Sequence, residues 1–199
     1  IIQGTVKRAD HNGASIDLGG AEAWLPKDET IQKEMFKAGD KVRAYIYKIA
    51  PQYRGPQIFV SRTHPQFLVE LFREHVPEIA NGTIEVMGAA RDPGFRAKIA
   101  VKSFDRNLDP VGACVGIRGV RVQAVTQELQ GERVDIIEWS PNAAEFLVKA
   151  MQPAQVAKVV LDEDRKRIDC AARGLIQNSW LLFGKCESDF KKISFAPYP

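Results

Sequence analysis

The pattern of apolar and polar positions divides the chain into a strand-rich first part and a mixed second part. Up to residue 61, apolar and polar side chains alternate in short runs, which is typical of half-buried β-strands. The predicted strands are Ile2–Arg8, Ala14–Leu18, Ala21–Leu25, Lys41–Ala50 and Gln57–Ser61. Asn12-Gly13 and Gly19-Gly20 favour tight hairpins between them. Five short strands, with a longer excursion after the third, predict a small β-barrel of the OB type.

Beyond residue 62 the pattern changes to helices that alternate with strands. The predicted elements are helix Pro65–His75, strands Thr83–Ala90 and Ala97–Ser103, two short helices on either side of residues 116–119, strand Arg133–Trp139, helix Asn142–Met151 and a hairpin from Val156–Leu161 and Arg167–Ala171. Pro110 suits the first turn of a helix, because its missing N–H has no intrahelical partner there. The order helix, strand, strand, helix, loop, helix, strand predicts an α/β unit.

The loop Gly116-Ile117-Arg118-Gly119 lies between the two short helices of this unit. Two glycines let the backbone turn and approach a polyanion closely. The helix that follows presents free N–H groups and a partial positive charge, and Arg118 and Arg121 add full charges. These are the properties of the GxxG loop that clamps a nucleic-acid backbone in KH domains. The alternative is an ordinary helix–turn–helix, and the element order favours the type II, or prokaryotic, KH domain.

The predicted barrel strands also carry a candidate binding surface. In the fourth strand Val42 and Ala44 would face the core, because successive side chains point to opposite faces of a strand. Aromatic and basic side chains then face outward and resemble a stacking platform for single-stranded bases. The candidates are Lys7, Trp24, Arg43, Tyr45 and Phe59. The alternative for each aromatic residue is packing under residues 26–37 or against the next domain.

Charge is unevenly distributed along the chain. The net charge of the 199 residues is only +3, and the 45% hydrophobic and 27% charged fractions are ordinary for a globular protein. Between residues 91 and 121, however, seven basic residues face three acidic ones, which leaves +4 around the glycine loop. A positive patch of this kind supports phosphate binding, whereas the alternative is a solvated charged face. The candidate ligands besides the loop are Arg91, Arg96, Lys98, Lys102 and Arg121.

Catalytic and metal-binding motifs are missing from the sequence. The three cysteines form no CxxC pair, the three histidines are far apart, and the glycine run 112–119 lacks the Lys-Ser/Thr of a nucleotide-binding loop. No apolar run approaches the roughly 18–20 residues of a membrane span. We therefore expect a cytoplasmic monomer that binds without catalysis and needs no cofactor, with Cys114 as a small core residue.

Several uninterrupted motifs together resemble the NusA family of bacterial transcription elongation, termination and antitermination factors. These are Ile2-Gln3-Gly4-Thr5-Val6, Ala23-Trp24-Leu25-Pro26, Ala89-Ala90-Arg91-Asp92-Pro93-Gly94 and Asp109-Pro110-Val111-Gly112-Ala113-Cys114-Val115-Gly116. The resemblance covers residues 1–172. It implies an S-one-type RNA-binding domain at 1–62, a first KH domain at 63–140 and the start of a second at 141–172. It also implies a polymerase-binding domain before the barrel, and nascent single-stranded RNA, RNA polymerase and other antitermination factors as partners.

The resemblance ends at about Arg173, where the family pattern would continue to a second glycine loop. Residues 173–199 form a divergent tail, which we expect to fold back over the hairpin at 156–171. The expected architecture is α+β and multidomain: a five-stranded OB-type barrel, a type II KH domain and an incomplete second KH-like unit. An exoribonuclease resembling polynucleotide phosphorylase is the alternative, but that enzyme carries KH before the barrel. A scaffold that contacts only proteins is a third possibility.

Overall fold

A computed structural model describes residues 1–32, 34–50, 57–162, 167–173, 184–187 and 192–195. The first five strands close into a barrel in the order β1-β2-β3-β5-β4, in which β3 and β5 are parallel. They are β1 (Ile2–Asp10), β2 (Gly13–Asp17), β3 (Glu22–Pro26), β4 (Lys41–Ile49) and β5 (Ile58–Ser61). Val42 and Ala44 face the barrel core, as the alternation predicted. The predicted OB-type barrel is therefore confirmed.

The second part of the chain forms a three-stranded sheet covered on one face by helices. The sheet order is β6-β7-β8, with β6 and β7 antiparallel and β7 and β8 parallel. The elements are α1 (Pro65–His75), α2 (Pro77–Ala80), β6 (Ile84–Asp92), β7 (Arg96–Ser103), α3 (Pro110–Val115), α4 (Val120–Glu128) and β8 (Arg133–Glu138). Ile99 of β7 and Phe67 and Leu71 of α1 are fully buried in the core between sheet and helices. This arrangement confirms the mixed α/β unit predicted around the glycine loop.

A further helix and sheet follow. Helix α5 (Ala143–Met151) begins at Asn142, whose side chain accepts hydrogen bonds from the backbone of Ala144 and Glu145. Strands β9 (Gln155–Asp162) and β10 (Arg167–Arg173) form the predicted hairpin. In the tail, β11 (Gly184–Glu187) and β12 (Lys192–Phe195) extend this sheet in the order β11-β12-β10-β9. The described parts of the tail thus pair with the hairpin, as expected, and the rest of the tail lies outside the described residues.

The excursion after β3 contributes Ile31 to the apolar core of the α/β unit, which is distinct from the core inside the barrel and is called the shared core below. Ile31, from the excursion after β3, is fully buried in the cluster that contains Phe67 and Leu71 of α1. The Ile31 side chain also lies close to Gly94, where an added Cβ would come within 2.8 Å of it. Because apolar burial is the dominant favourable term in folding, this shared core joins the barrel to the α/β unit.

An ionic network surrounds the shared core. The Arg62 side chain is 3% exposed and its Nε lies 2.8 Å and 2.9 Å from the two carboxylate oxygens of Glu34. Arg62 also donates to the backbone of Arg43 and to Glu128 of α4, with Nη1 2.9 Å from Glu128 Oε1. Although burial opposes the charge, hydrogen bonds and attraction to Glu34 and Glu128 raise the pKa of Arg62. Arg62 therefore links the barrel, its excursion and α4.

Candidate nucleic-acid interface

The glycine loop has a backbone that side-chain-bearing residues adopt with difficulty. Gly116 has φ +74°, Arg118 has φ +54° and Gly119 has φ +78°, all in the left-handed range. The Gly116 N–H closes α3 by donating to Gly112 O at 2.9 Å, and Gly119 N–H donates to Gly116 O at 3.0 Å. Helix α4 then begins at Val120 without a side-chain cap. The loop thus ends at a helix N-terminus whose partial positive charge is open to an anion.

Steric contacts explain part of this glycine pattern. A Cβ on Gly116 would lie 2.7 Å from Cγ of Arg121, and a Cβ on Gly112 would lie 2.5 Å from Oδ2 of Asp109. Asp109 caps α3 by accepting a hydrogen bond from Val111 N at 3.0 Å. At Gly119 the nearest atoms are 3.9 Å from such a Cβ, so only the positive φ favours glycine there. Close packing behind the loop therefore fixes its first half, and backbone conformation fixes its second.

The tip of the loop is open to solvent. Ile117 is 87% exposed and the neighbouring Val120 is 63% exposed. Arg118 is also exposed, and no carboxylate of the described residues lies within ion-pair distance of it. Exposed apolar side chains beside an unpaired cation can contact a base and a phosphate at once. The structure thus places Gly116, Ile117, Arg118 and Gly119 together at the surface.

Arg121 supports the loop from behind. Its Nη1 donates to Ala113 O at 2.6 Å and lies 2.9 Å from Oε2 of Glu78. The guanidinium is therefore paired and half-buried, which differs from the free positive charge expected from the sequence. Beneath it, burial first and then the Glu78 charge raise the pKa of Cys114 to about 12. Cys114 is fully buried, which confirms the prediction of a small core residue.

Strand β8 packs against the two helices that carry the loop and is the last strand of its sheet, so one of its edges is open. Arg133 N–H donates to Phe95 O and Trp139 N–H donates to Val101 O, at 3.1 Å and 2.8 Å, so these residues direct their backbone toward β7. Backbone groups alternate in direction along a strand, so those of Val134 and Ile136 point away from β7. No other described strand pairs with this edge. Sequence reasoning missed it because edge positions depend on strand order.

Arg91, predicted to bind phosphate, lies in the interior. Its Nε and Nη2 each donate to a carboxylate oxygen of Glu132 at 2.8 Å, and both side chains are 0% exposed. Arg91 Nη1 also donates to Arg62 O at 2.8 Å, and Glu132 accepts from Gly94 N at 2.9 Å. The prediction that Arg91 is a phosphate ligand is corrected, because the side chain is buried and paired with Glu132. Sequence reasoning missed this pair because Glu132 lies 41 residues further along the chain.

Arg96 and Lys98 also pair with an acidic residue, one that lies outside residues 91–121, over which the charge was counted. Asp135 of β8 lies 2.6 Å from Arg96 Nη2 and 3.1 Å from Lys98 Nζ. Burial lowers the pKa of Lys98, although Asp135 opposes this shift. The expected charge of +4 is therefore largely neutralised, which corrects the patch predicted from the linear sequence. Lys102 has a different environment, between two aromatic rings.

Two predicted aromatic residues do meet on the outside of the barrel. Trp24 and Phe59 are register partners on the parallel strands β3 and β5. Pairing continues outward to Lys48, whose Nζ lies 5.7 Å from the Phe59 ring centroid. On the other side Trp24 pairs with Ser15, which pairs with Arg8. We call this row, Arg8–Ser15–Trp24–Phe59–Lys48, the barrel platform.

Sequence reasoning missed Arg8 and Lys48 because two β-bulges shift the register. The pairing of β1 with β2 slips between Val6 and Arg8, and that of β4 with β5 slips between Ile46 and Lys48. A bulge adds one residue to one strand and so breaks the strict alternation. Lys7, which was predicted, is exposed at the first bulge and lies 3.8 Å from Asp17.

Arg43 and Tyr45 lie at the interface between the barrel and the helical layer. The Tyr45 ring stacks on His64 with centroids 5.1 Å apart and packs against the shared core. Arg43 pairs with Glu74 of α1 and lies 3.5 Å from Glu128 of α4. Their predicted place on an open outer face is therefore corrected. The alternative reading, packing against the next domain, applies to Tyr45.

Among the described residues, no group of three or more His, Cys, Asp or Glu side chains is placed to hold a metal ion. Among the described helices, none combines the length and apolar character that crossing a membrane requires.

The fold and the loop together define a KH-type domain that follows an OB-type barrel. Residues 62–139 match the family model of the NusA-like first KH domain. The chain is 47% identical over 172 residues to the transcription termination/antitermination protein NusA of Rickettsia conorii, an alignment that covers 85% of this chain and 34% of that protein. The protein of the same name from Rickettsia prowazekii is 46% identical over 172 residues, with the same coverage. The chain is similar to these NusA proteins over most of its own length, and it spans about a third of the length of the curated relatives it matches.

Proposed function

We propose that this chain is the RNA-binding part of a bacterial transcription factor that modulates pausing, termination and antitermination. The carrying observation is the loop at 116–119, where exposed Ile117 and Arg118 lie between two glycines of positive φ at the start of α4. The relatives' names as termination/antitermination proteins support this proposal. Those relatives do not favour the exoribonuclease alternative.

The proposed mechanism is binding without catalysis. Backbone N–H groups at the start of α4 and the Arg118 guanidinium hold the phosphates of single-stranded RNA, which a neutral loop would not attract. The bases then lie over Ile117 toward the open edge of β8, where the backbone of Val134 and Ile136 offers hydrogen-bond donors and acceptors. Arg121 acts as a positioning residue that keeps the loop in shape.

The barrel platform supplies a second proposed contact. Trp24 and Phe59 present rings on which bases can stack, and Arg8, Lys48 and Lys7 attract the phosphates nearby. Stacking is tolerant of sequence, so this contact adds affinity without strong base preference. The protein is proposed to be a cytoplasmic monomer. Its proposed partners are nascent RNA, RNA polymerase and other antitermination factors. The proposed division is barrel at 1–62, first KH domain at 63–140, second KH-like unit at 141–172 and tail at 173–199.

The test replaces the loop tip and leaves the fold unchanged. Because Ile117 and Arg118 are exposed, Ile117→Asp/Arg118→Asp should change stability by only about 0.5 kcal/mol. The RNA would lose one positive charge and meet two negative ones, so we expect at least about a tenfold loss of affinity and a weaker salt dependence. Fluorescence anisotropy with labelled single-stranded RNA at two salt concentrations measures both quantities, and circular dichroism measures the melt.

A matched control separates a local effect from a general effect of charge. Met35 is 86% exposed, like Ile117, and Met35→Asp/Lys37→Asp changes the net charge by the same amount. This control should keep most of the affinity. Equal affinity of the loop variant and the unmodified protein, with equal melts, would show that the loop is only a turn.

A further inference from the structure

A cluster of one lysine and two aromatic side chains lies at the ends of β7 and β8. Lys102 Nζ is 4.9 Å from the Trp139 ring centroid and 5.6 Å from the Phe104 ring centroid. Phe104 is 63% exposed although it is a large apolar side chain. Trp139 directly follows β8 and is half-buried. We call these three residues the Lys102 cluster.

Among the described residues, Lys102 has no carboxylate partner. Glu85 is the register partner of Lys102 on β6, yet no described carboxylate lies within ion-pair distance of the ammonium group. In the adjoining loop Arg106 is exposed, and Asp105 Oδ1 accepts a hydrogen bond from Asn107 N at 2.9 Å. A cation beside two aromatic rings, one of them mostly exposed, can bind a nucleotide, because a ring can stack on the base while the ammonium group pairs with the phosphate.

The position of the cluster connects it to the proposed RNA path. Trp139 continues β8 beyond Glu138, and β8 packs against both helices that carry the glycine loop. Lys102 follows the helix-facing Val101 and therefore lies on the opposite face of the sheet, which a strand reaches across the open edge of β8. Phe104 begins the connection from β7 to α3, the helix that leads into that loop. An RNA strand that follows the β8 edge toward its C-terminal end therefore arrives at Trp139.

We propose that the Lys102 cluster binds a further nucleotide of the same single-stranded RNA, beyond the nucleotides that the glycine loop binds. The base stacks on the Phe104 or Trp139 ring and the phosphate pairs with the Lys102 ammonium group. This inference rests on the proposed function, because it extends the same RNA strand. It adds a contact that tolerates any base, since every base offers a π-face.

Tryptophan fluorescence tests the stacking directly. The sequence contains three tryptophans, so Trp24→Phe/Trp180→Phe leaves Trp139 as the single reporter. A KH loop clamps about four nucleotides, so we compare oligouridylates of about four and about eight nucleotides at saturation. The longer oligonucleotide should quench Trp139 and the shorter one should not. Equal fluorescence with both, while anisotropy shows full binding, would overturn the proposal.

Affinity measurements give an independent readout. Phe104→Ala should weaken binding of the longer oligonucleotide about tenfold and leave the shorter one unchanged. Lys102→Gln should lower the slope of log affinity against log salt by about one for the longer oligonucleotide. Phe95→Ala is the matched control, because Phe95 is 51% exposed on the hairpin between β6 and β7.

The glycine-loop variant separates this inference from the proposed function. If Ile117→Asp/Arg118→Asp abolishes binding while Phe104→Ala and Lys102→Gln bind both oligonucleotides like Phe95→Ala, only the cluster proposal fails. If the loop variant binds both oligonucleotides normally, the proposed function fails. Circular dichroism melts of each variant confirm that folding is unchanged, and Phe104 is exposed enough for its replacement to be tolerated.

Discussion

Replacing Arg91 distinguishes a buried structural ion pair from a surface phosphate ligand. The side chains of Arg91 and Glu132 are both 0% exposed and are joined by two hydrogen bonds of 2.8 Å. Removing one partner of such a pair leaves a buried charge unpaired and costs about 3–5 kcal/mol. For a protein of this size each kcal/mol shifts the melting temperature by about 2–4 °C. Arg91→Met should therefore lower the melting temperature by about 6–20 °C.

The assay combines thermal melting with RNA titration. We expect Arg91→Met to keep its RNA affinity within about twofold when it is measured well below its own melting temperature, because Arg91 does not reach the surface. Arg73→Met is the control, since Arg73 pairs with Glu70 at 2.9 Å on the exposed face of α1. An exposed pair contributes about 0–1 kcal/mol, so this control should melt almost normally.

A double variant shows whether the cost arises from the unpaired charge. Arg91→Met/Glu132→Leu removes both charges together and should be less destabilised than either single variant. Some loss remains, because the N–H of Gly94 and the carbonyl of Arg62 lose their partners. An unchanged melt together with a large loss of RNA affinity in Arg91→Met would refute this reasoning. It would mean that Arg91 contacts phosphate.

Two further predictions follow from the interface between the barrel and the helical layer and from the buried thiol. The barrel and the KH unit should show one rotational correlation time in NMR relaxation, and separate times in the unmodified protein would contradict this. Arg62→Gln should loosen the contact between the two units, because it leaves Glu34 and Glu128 without the cation that they share. Cys114 should resist alkylation at pH 8 until the protein unfolds, as mass spectrometry of its peptide can show, because its pKa is raised from 9.0 to about 12. The unfolded state then loses this proton first, so the contribution of Cys114 to stability is present below pH 9 and is lost as the pH rises toward about 12.

Linear charge counting failed around the glycine loop for a physical reason. Arg91, Arg96 and Lys98 are close in sequence to the loop, but their carboxylate partners, Glu132 and Asp135, come from the far side of the α/β unit. Strand pairing of β7 with β8 brings these charges together, and this pairing spans about forty residues of chain. A sum over neighbouring residues therefore overestimates the exposed positive charge.

The aromatic platform shows a similar limit. Alternation placed Trp24 and Phe59 on the outside of the barrel, but only the strand order makes them register partners. Two β-bulges bring in Arg8 and Lys48, which no pattern of period two can predict. Tyr45 follows the same alternation as its neighbours, yet it packs on His64 because the next unit covers that part of β4.

The sequence by itself determined the elements and the loop, because both depend on local chemistry. Period-two runs mark the barrel strands, Asp109 and Pro110 mark the start of α3, and glycine allows the positive φ of residues 116 and 119. The tertiary structure alone decided which charged and aromatic side chains remain available to a ligand. Burial and pairing are properties of side chains brought together from distant segments. Arg118 remains unpaired among the described residues, whereas Arg91, equally basic, is enclosed by Glu132.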